Sequence, residues 1–81
     1  MPNNKIKIYN NNKQVNSIII KANSYLINTY KTKFNVLETS TERFELLKDL
    51  WKKEFNAVIY ETHVEFDNEH QKIMFTIKFN F

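Results

Sequence analysis

The chain has 81 residues and a formal net charge of +3, contains no glycine or cysteine, and has a single proline, Pro2. Residues 1–81 are expected to form one domain without a disulfide, a thiolate nucleophile, cysteine-bound zinc or any glycine-dependent phosphate loop. The charge is divided along the chain, because the first 37 residues carry six lysines and no carboxylate, whereas all nine acidic residues lie at or beyond Glu38.

Lysine and isoleucine alternate near the start of the chain, from Lys5 to Tyr9. An alternation with a period of two predicts a short strand with Ile6 and Ile8 on its buried face. Lys5, Lys7 and Tyr9 then lie on the outer face of that strand.

Apolar side chains between Gln14 and Tyr30 recur with the period of a helix. At the helical rotation per residue they fall within an arc of about 140°. The residues of this arc are Val15, Ile18, Ile19, Ala22, Tyr25, Leu26 and Tyr30. Residue propensity favours the alternative, a hairpin with a strand over residues 14–22. No period of two fits the same residues, so the periodicity predicts a helix.

Two isoleucines of this helix, Ile20 and Ile27, fall outside the apolar arc. If the helix continues, Phe34 extends them into a ridge at heptad spacing. Such a ridge is typical of a partner-binding surface, and Lys21 and Lys31 beside it would attract an acidic partner. The alternative is a helix between two layers, or two isoleucines tolerated at the surface.

The segment that starts at Thr39 carries a capping box, Thr39-Ser40-Thr41-Glu42, which predicts the beginning of a second helix. Its apolar face consists of Phe44, Leu47, Leu50, Trp51 and Phe55. Asn56 is expected to end this helix in the left-handed conformation, where glycine is the usual residue.

Residues 57–81 alternate apolar and polar side chains and predict a hairpin that turns at Asn68 and Glu69. The expected pairs are Val64 with Ile73, Thr62 with Phe75, Tyr60 with Ile77, Val58 with Phe79 and, on the outer face, Glu65 with Lys72. The sum is an α+β fold, a small two-layer domain in which a short antiparallel sheet packs on two helices in the order β-α-α-β-β.

No group of residues in the chain indicates enzyme chemistry. His63 and Glu65 form the HxE string of zinc deaminases, but those enzymes also need a cysteine pair. Asp67, Glu69 and His70 cluster at the predicted turn, where a solvated turn is the simpler interpretation than a cation site. We therefore expect no enzyme, metal site or cofactor.

The basic first part of the chain predicts direct binding of RNA or DNA as an alternative function. Lys5 and Lys7 flank Tyr9 on the outer face of the first strand, and Lys13 and Lys33 follow along the chain. Lysines beside an aromatic ring can follow phosphates and stack a base. Against this alternative, the chain has one arginine, the residue preferred for bidentate recognition of a base or a phosphate.

The whole chain, in its small size, A/T-codon-rich composition and lack of motifs, resembles in kind the small inhibitors that phages encode, among them the anti-CRISPR proteins. The resemblance implies a non-enzymatic inhibitor that docks on a host RNA-guided nuclease or its guide RNA in the cytoplasm of a bacterial host cell. Many such inhibitors are acidic, so the basic first half of this chain implies a protein or ribonucleoprotein partner with an acidic surface, or the guide RNA itself.

Two further expectations concern membranes and self-association. The longest aliphatic run, Ile18-Ile19-Ile20, is far too short to span a bilayer, so no membrane partner is expected. A homodimer formed through the first helix or the last strand is a third alternative.

Overall fold

A computed structural model describes residues 3–8 and 13–79, with side chains from residue 17 onward in the second range. The α+β class predicted from the sequence is confirmed, although the order of elements differs from the prediction. In chain order the elements are β1 (Lys5–Lys7), α1 (Lys13–Thr29), α2 (Lys31–Asn35), α3 (Ser40–Phe55), β2 (Ala57–Ile59), β3 (His63–Phe66) and α4 (Glu69–Phe79).

The sheet described has three antiparallel strands in the order β1-β3-β2. Ile6 of β1 lies opposite Val64 of β3, which in turn lies opposite Ile59 of β2. These three side chains are buried. The predicted alternation of the first strand is confirmed, because Ile6 faces the core while Lys5 and Lys7 are exposed.

The helix predicted from periodicity is confirmed as α1, and the alternative hairpin over residues 14–22 is wrong. Ile18, Ala22 and Leu26 are buried on one side of this helix. Three and four residues separate positions on one helical face, so burial of these side chains outweighs the strand propensity of the segment.

The predicted ridge is wrong at Phe34. A turn at Tyr30 separates α1 from α2, so the helix does not continue in one line through this residue. Phe34 is buried in the core, whereas Ile20 and Ile27 remain at the surface. The three residues at heptad spacing therefore do not form one surface, because two of them are exposed and the third is buried.

Both predicted ends of the second helix are confirmed in α3. Thr39 Oγ1 accepts the backbone N–H of Glu42 at 3.1 Å, and the Thr39 hydroxyl donates to Glu42 Oε1 at 2.9 Å. Asn56 ends the helix in the left-handed region at φ 54° and ψ 45°. On the apolar face Leu50, Trp51 and Phe55 are buried as predicted, but Phe44 is 43% exposed.

The predicted hairpin of residues 57–81 is wrong in both halves, because its first strand is divided into two strands and its second strand is a helix. β2 and β3 form a tight hairpin that turns at residues 60–62, and α4 occupies the place of the predicted last strand. Asn68 Oδ1 accepts the N–H of Gln71 at 2.9 Å, so the residue predicted to form a turn caps a helix instead. The pairs expected across the turn at Asn68 do not form, and Glu65 makes its ion pair with Lys5 at 3.6 Å rather than with Lys72.

An aromatic cluster at the centre of the core explains why α4 is a helix. The ring of Phe75 lies 5.2 Å from Trp51, 5.1 Å from Phe55 and 5.0 Å from Phe79, measured between centroids. Phe75 and Phe79 are four residues apart, so one helical turn brings their rings together against Trp51 and Phe55, whereas a strand would hold the two residues about 13 Å apart. Burial of two phenylalanines, worth about 1.5–3 kcal/mol each, outweighs the strand propensity of this segment.

Candidate functional site

The outer face of α1 carries the predicted partner-binding residues. Ile20 is 64% exposed and Ile27 is 42% exposed, whereas the opposite side of the same helix is buried. Lys31 is exposed on α2, and Lys21 is half-buried about 100° around the helix axis from Ile20. The structure therefore places the two isoleucines on one face of α1, with Lys21 at its margin and Lys31 at the start of the next helix.

A groove runs alongside this face, between α1 and the start of α3. We call it the Phe44 groove. It has a volume of about 440 Å³, and its lining residues are Ile8, Ile19, Asn23, Phe44, Ile59, Tyr60 and Glu61. Asn23 lies three residues after Ile20 and four before Ile27, so the groove borders the exposed isoleucines. Asn23 is also held in place, because its Oδ1 accepts the indole N–H of the buried Trp51 at 2.8 Å.

A second depression lies at the edge of β1, and three lysines from two elements meet there. We call it the lysine pocket. Lys5 and Lys7 of β1 and Lys72 of α4 line its volume of about 280 Å³, together with Asn3, Ile6, Ile18 and Thr76. None of the described residues that line this pocket is acidic. Two carboxylates approach its rim, since Glu65 lies 3.6 Å from Lys5 Nζ and Glu69 Oε2 accepts the N–H of Asn3 at 3.4 Å.

The outer face of the sheet adds an aromatic pair next to these lysines. Lys7 lies opposite His63 in the register of β1 and β3. The rings of His63 and Tyr60 are stacked, with centroids 4.7 Å apart and an interplanar angle of 27°. A row of Lys7, His63 and Tyr60 thus crosses the sheet beside a second row that contains Lys5 and Glu65.

Of the remaining predicted nucleic-acid residues, Lys33 has a described side chain, and it does not line the lysine pocket. Tyr9 lies outside the described residues, and so does the side chain of Lys13, whose backbone belongs to α1. Lys33 lies on α2, with its Nζ 5.6 Å from the centre of the Tyr30 ring. Of the five residues predicted, the structure brings Lys5 and Lys7 together.

Sequence reasoning missed Lys72, Tyr60 and His63 as members of this surface. The wrong hairpin register put Lys72 on a strand, and put Tyr60 on the buried face. The four-residue spacing of Phe75 and Phe79 fits a helix as well as a strand, so it was not a decisive signal for the helix that brings Lys72 next to β1. The charge division along the chain is also less sharp in space, since basic β1 pairs directly with β3, which carries Glu65.

The polar and charged side chains of the described residues lie at or near the surface. No polar or charged side chain among these residues is buried, and no three of their histidines, aspartates and glutamates are grouped to hold a metal ion. Asp67, Glu69 and His70 are all exposed around the start of α4.

Comparisons with known proteins returned no protein-family model, no curated protein and no solved structure that matches this chain. Within the described residues, no helix combines the length and apolar character that crossing a bilayer requires.

Proposed function

We propose that this chain is a non-enzymatic binding protein that docks on a partner protein through the outer face of α1 and the adjoining Phe44 groove. The observation that carries the proposal is the exposure of Ile20 and Ile27 on a helix whose other side is packed into the core. Phe44, 43% exposed, adds an aromatic ring to the same area. Exposed apolar residues that adjoin a groove are typical of protein interaction sites.

The free energy of docking would come from covering this apolar area. Complete burial of an isoleucine side chain contributes about 1.5–3 kcal/mol, so Ile20 and Ile27 together can act as a hot spot. Lys31, exposed at the start of α2, would favour a partner with an acidic surface and would orient the encounter rather than supply most of the affinity.

The partner class to test first follows from the resemblance to small phage inhibitors. In this proposal the protein acts in the cytoplasm of a bacterial host, and its partner is an RNA-guided nuclease complex. Docking on such a complex would reduce target cleavage by occupying a surface that the complex needs, without any chemistry on the part of the inhibitor.

The test is inhibition of target cleavage by a panel of purified RNA-guided nuclease complexes, with binding followed in parallel. The double variant Ile20→Asp, Ile27→Asp should weaken binding at least about 100-fold, because it places two charges in the contact. The matched control is Ile77→Asp, since Ile77 is 68% exposed on α4 and does not line the groove. Circular dichroism must show that both proteins remain folded.

Equal loss of binding in the Ile77→Asp control would contradict this location of the docking surface. If no nuclease of the panel binds, the proposed partner class is wrong. Unfolding of the double variant would show that Ile20 and Ile27 stabilise the core rather than bind a partner.

Direct binding of RNA or DNA is a second candidate function, favoured by one specific observation. Lys72 joins Lys5 and Lys7 at one pocket whose described lining residues include no acid. The double variant Lys5→Glu, Lys7→Glu should abolish binding at about 50 mM salt, where phosphate contacts are strong. Lys52→Glu, Lys53→Glu on α3 changes the net charge equally and is the control. If binding survives the first double variant, β1 is not the contact.

A further inference from the structure

We propose that the lysine pocket and the outer face of the sheet form one continuous track for single-stranded nucleic acid, in which phosphates lie on the lysines and a base stacks on Tyr60 and His63. The inference rests on the second candidate function and deepens it, because it names the form of nucleic acid and three residues that sequence reasoning did not assign to it.

The phosphate end of the track is the lysine pocket. Lys5, Lys7 and Lys72 converge on it from a strand and a helix, and the side chains of Asn3 and Thr76 add polar groups. A lysine ammonium is a point charge that attracts phosphate without demanding one geometry, as expected for contacts along a backbone rather than to one base.

The backbone of β1 adds donors at the same place. Asn4 O accepts the N–H of Phe66 at 2.8 Å, and Ile8 N–H donates to Thr62 O at 2.9 Å, so both residues face β3. In an antiparallel ladder the intervening residues alternate, which turns the N–H groups of Lys5 and Lys7 toward the other side of the strand. β1 is one of the two edge strands of the described sheet, so these groups point to the side on which the phosphates would lie.

The base end of the track is the stacked pair of Tyr60 and His63. Lys7 lies directly across β1 and β3 from His63, so the last phosphate contact is one strand away from the aromatic pair. Tyr60 is 45% exposed, which leaves ring surface for a base to cover. The hydrogen bond of 3.0 Å between the Thr62 hydroxyl and His63 Nδ1 holds the histidine ring in this position.

This geometry favours a single strand over a duplex. A ring lying on a sheet reaches only a base that has left its own stack, and unstacked bases occur in single strands, loops and ends. Reading base edges in a duplex groove needs a protruding helix or ribbon with bidentate side chains. The aromatic pair instead lies on the surface of a short sheet.

Glu65 provides the sharpest test of the path, because its carboxylate lies next to the proposed track. Its Oε1 is 3.6 Å from Lys5 Nζ and 4.0 Å from His63 Nε2. A strand that passes from Lys7 over His63 to Tyr60 runs beside this negative charge. Glu65→Gln removes the charge at almost constant shape, so it should tighten binding about 2- to 5-fold. A strand bound elsewhere would not respond.

The experiment measures fluorescence anisotropy of labelled oligouridine and oligothymidine of about ten nucleotides, with a duplex of equal length for comparison. Tyr60→Ala should weaken single-strand binding about 5- to 150-fold, and Tyr60→Phe, which keeps the ring, should restore most of it. Lys72→Gln should lower the slope of the salt dependence by about 0.7. The matched control, Lys52→Gln, should leave the slope unchanged because Lys52 pairs with Asp67 elsewhere, at 3.6 Å.

The outcomes separate the track from the function on which it rests. If the duplex binds as tightly as the single strand and Tyr60→Ala has no effect, the track is wrong while nucleic-acid binding stands. If none of the probes binds at about 50 mM salt, both are wrong. Because Tyr60 also lines the Phe44 groove, Ile20→Asp, Ile27→Asp is measured with the same probes. It should leave single-strand binding unchanged, and a parallel loss would overturn the track by locating the contact on α1.

Discussion

Helices α3 and α4 pack against the same aromatic cluster, but they differ in how their apolar residues are used. α3 buries Leu50, Trp51 and Phe55 and exposes one large apolar side chain, that of Phe44. α4 buries two phenylalanines, and three of its large apolar side chains lie at the surface. These exposed residues are Ile73 at 47%, Met74 at 53% and Ile77 at 68%.

The two helices therefore differ in the source of their stability. α3 has a threonine cap at its start, a left-handed asparagine at its end and an apolar face of helical period. Local sequence and tertiary packing therefore favour the same conformation. In α4 the local sequence alternates as in a strand, so the helix depends on its cap and on the packing of Phe75 and Phe79 against α3 and the sheet.

The largest effect on the free energy of unfolding is expected from Phe75→Ala. Phe75 lies within about 5 Å of four aromatic rings, those of Trp51, Phe55, Phe66 and Phe79, so its removal leaves a cavity at the centre of the core. We expect a loss of about 3–5 kcal/mol in the free energy of unfolding, enough to unfold much of a domain of this size. Urea titration followed by circular dichroism measures it.

The matched control for this prediction is the same substitution in α3, Phe44→Ala. Phe44 is 43% exposed, and it contacts Lys48, whose Nζ lies 5.9 Å from the ring centre. Its removal should cost no more than about 1 kcal/mol. Equal losses in the two variants would show that α4 is not held mainly by Phe75, and the contrast between the helices would fail.

The same contrast explains how much of this fold could be predicted from the sequence. α1 and α3 were predictable. For α3 the hydrophobic period, the caps and the burial all indicate a helix, and for α1 the hydrophobic period alone was decisive. α4 could not be predicted in this way, because Ile73, Phe75, Ile77 and Phe79 occupy every second position, as on one face of a strand. What decides between strand and helix there is contact with Trp51, which a local pattern does not contain.

The site residues that could be predicted from the sequence are those on helices and strands that were themselves predicted correctly. Lys5 and Lys7 lie on a correctly predicted strand, and Ile20 and Ile27 on a correctly predicted helix, so their exposure could be foreseen. Lys72 reaches the lysine pocket only because α4 is a helix, and an error of secondary structure removed it from the site. What could not be predicted from the sequence is therefore the part of the site that depends on contacts between distant segments, rather than on residue types.

A smaller effect is expected from the two helix caps. Asn68→Ala removes the acceptor of the Gln71 N–H, and Thr39→Ala removes that of the Glu42 N–H. Each should cost about 1 kcal/mol in the free energy of unfolding. The variants should differ in local opening: amide hydrogen exchange should accelerate through the first turn of α4 in Asn68→Ala, whereas α3 should lose protection only around its cap. Identical hydrogen exchange in the two variants would mean that the local sequence stabilises α4 as much as it stabilises α3.

The smallest effect on stability is expected from Ile73→Ala, Ile77→Ala, which changes the exposed face of α4 alone. Alanine has the higher helix propensity by a few tenths of a kcal/mol per residue, and little burial is lost, so the free energy of unfolding should change by no more than about 0.5 kcal/mol. The substitution also interrupts a proline-free apolar segment of high strand propensity, of the kind that promotes aggregation when exposed. Light scattering during heating should therefore rise later than for the parent chain. A loss above about 1 kcal/mol would instead show that these isoleucines pack against the domain, and that α4 buries a face like that of α3.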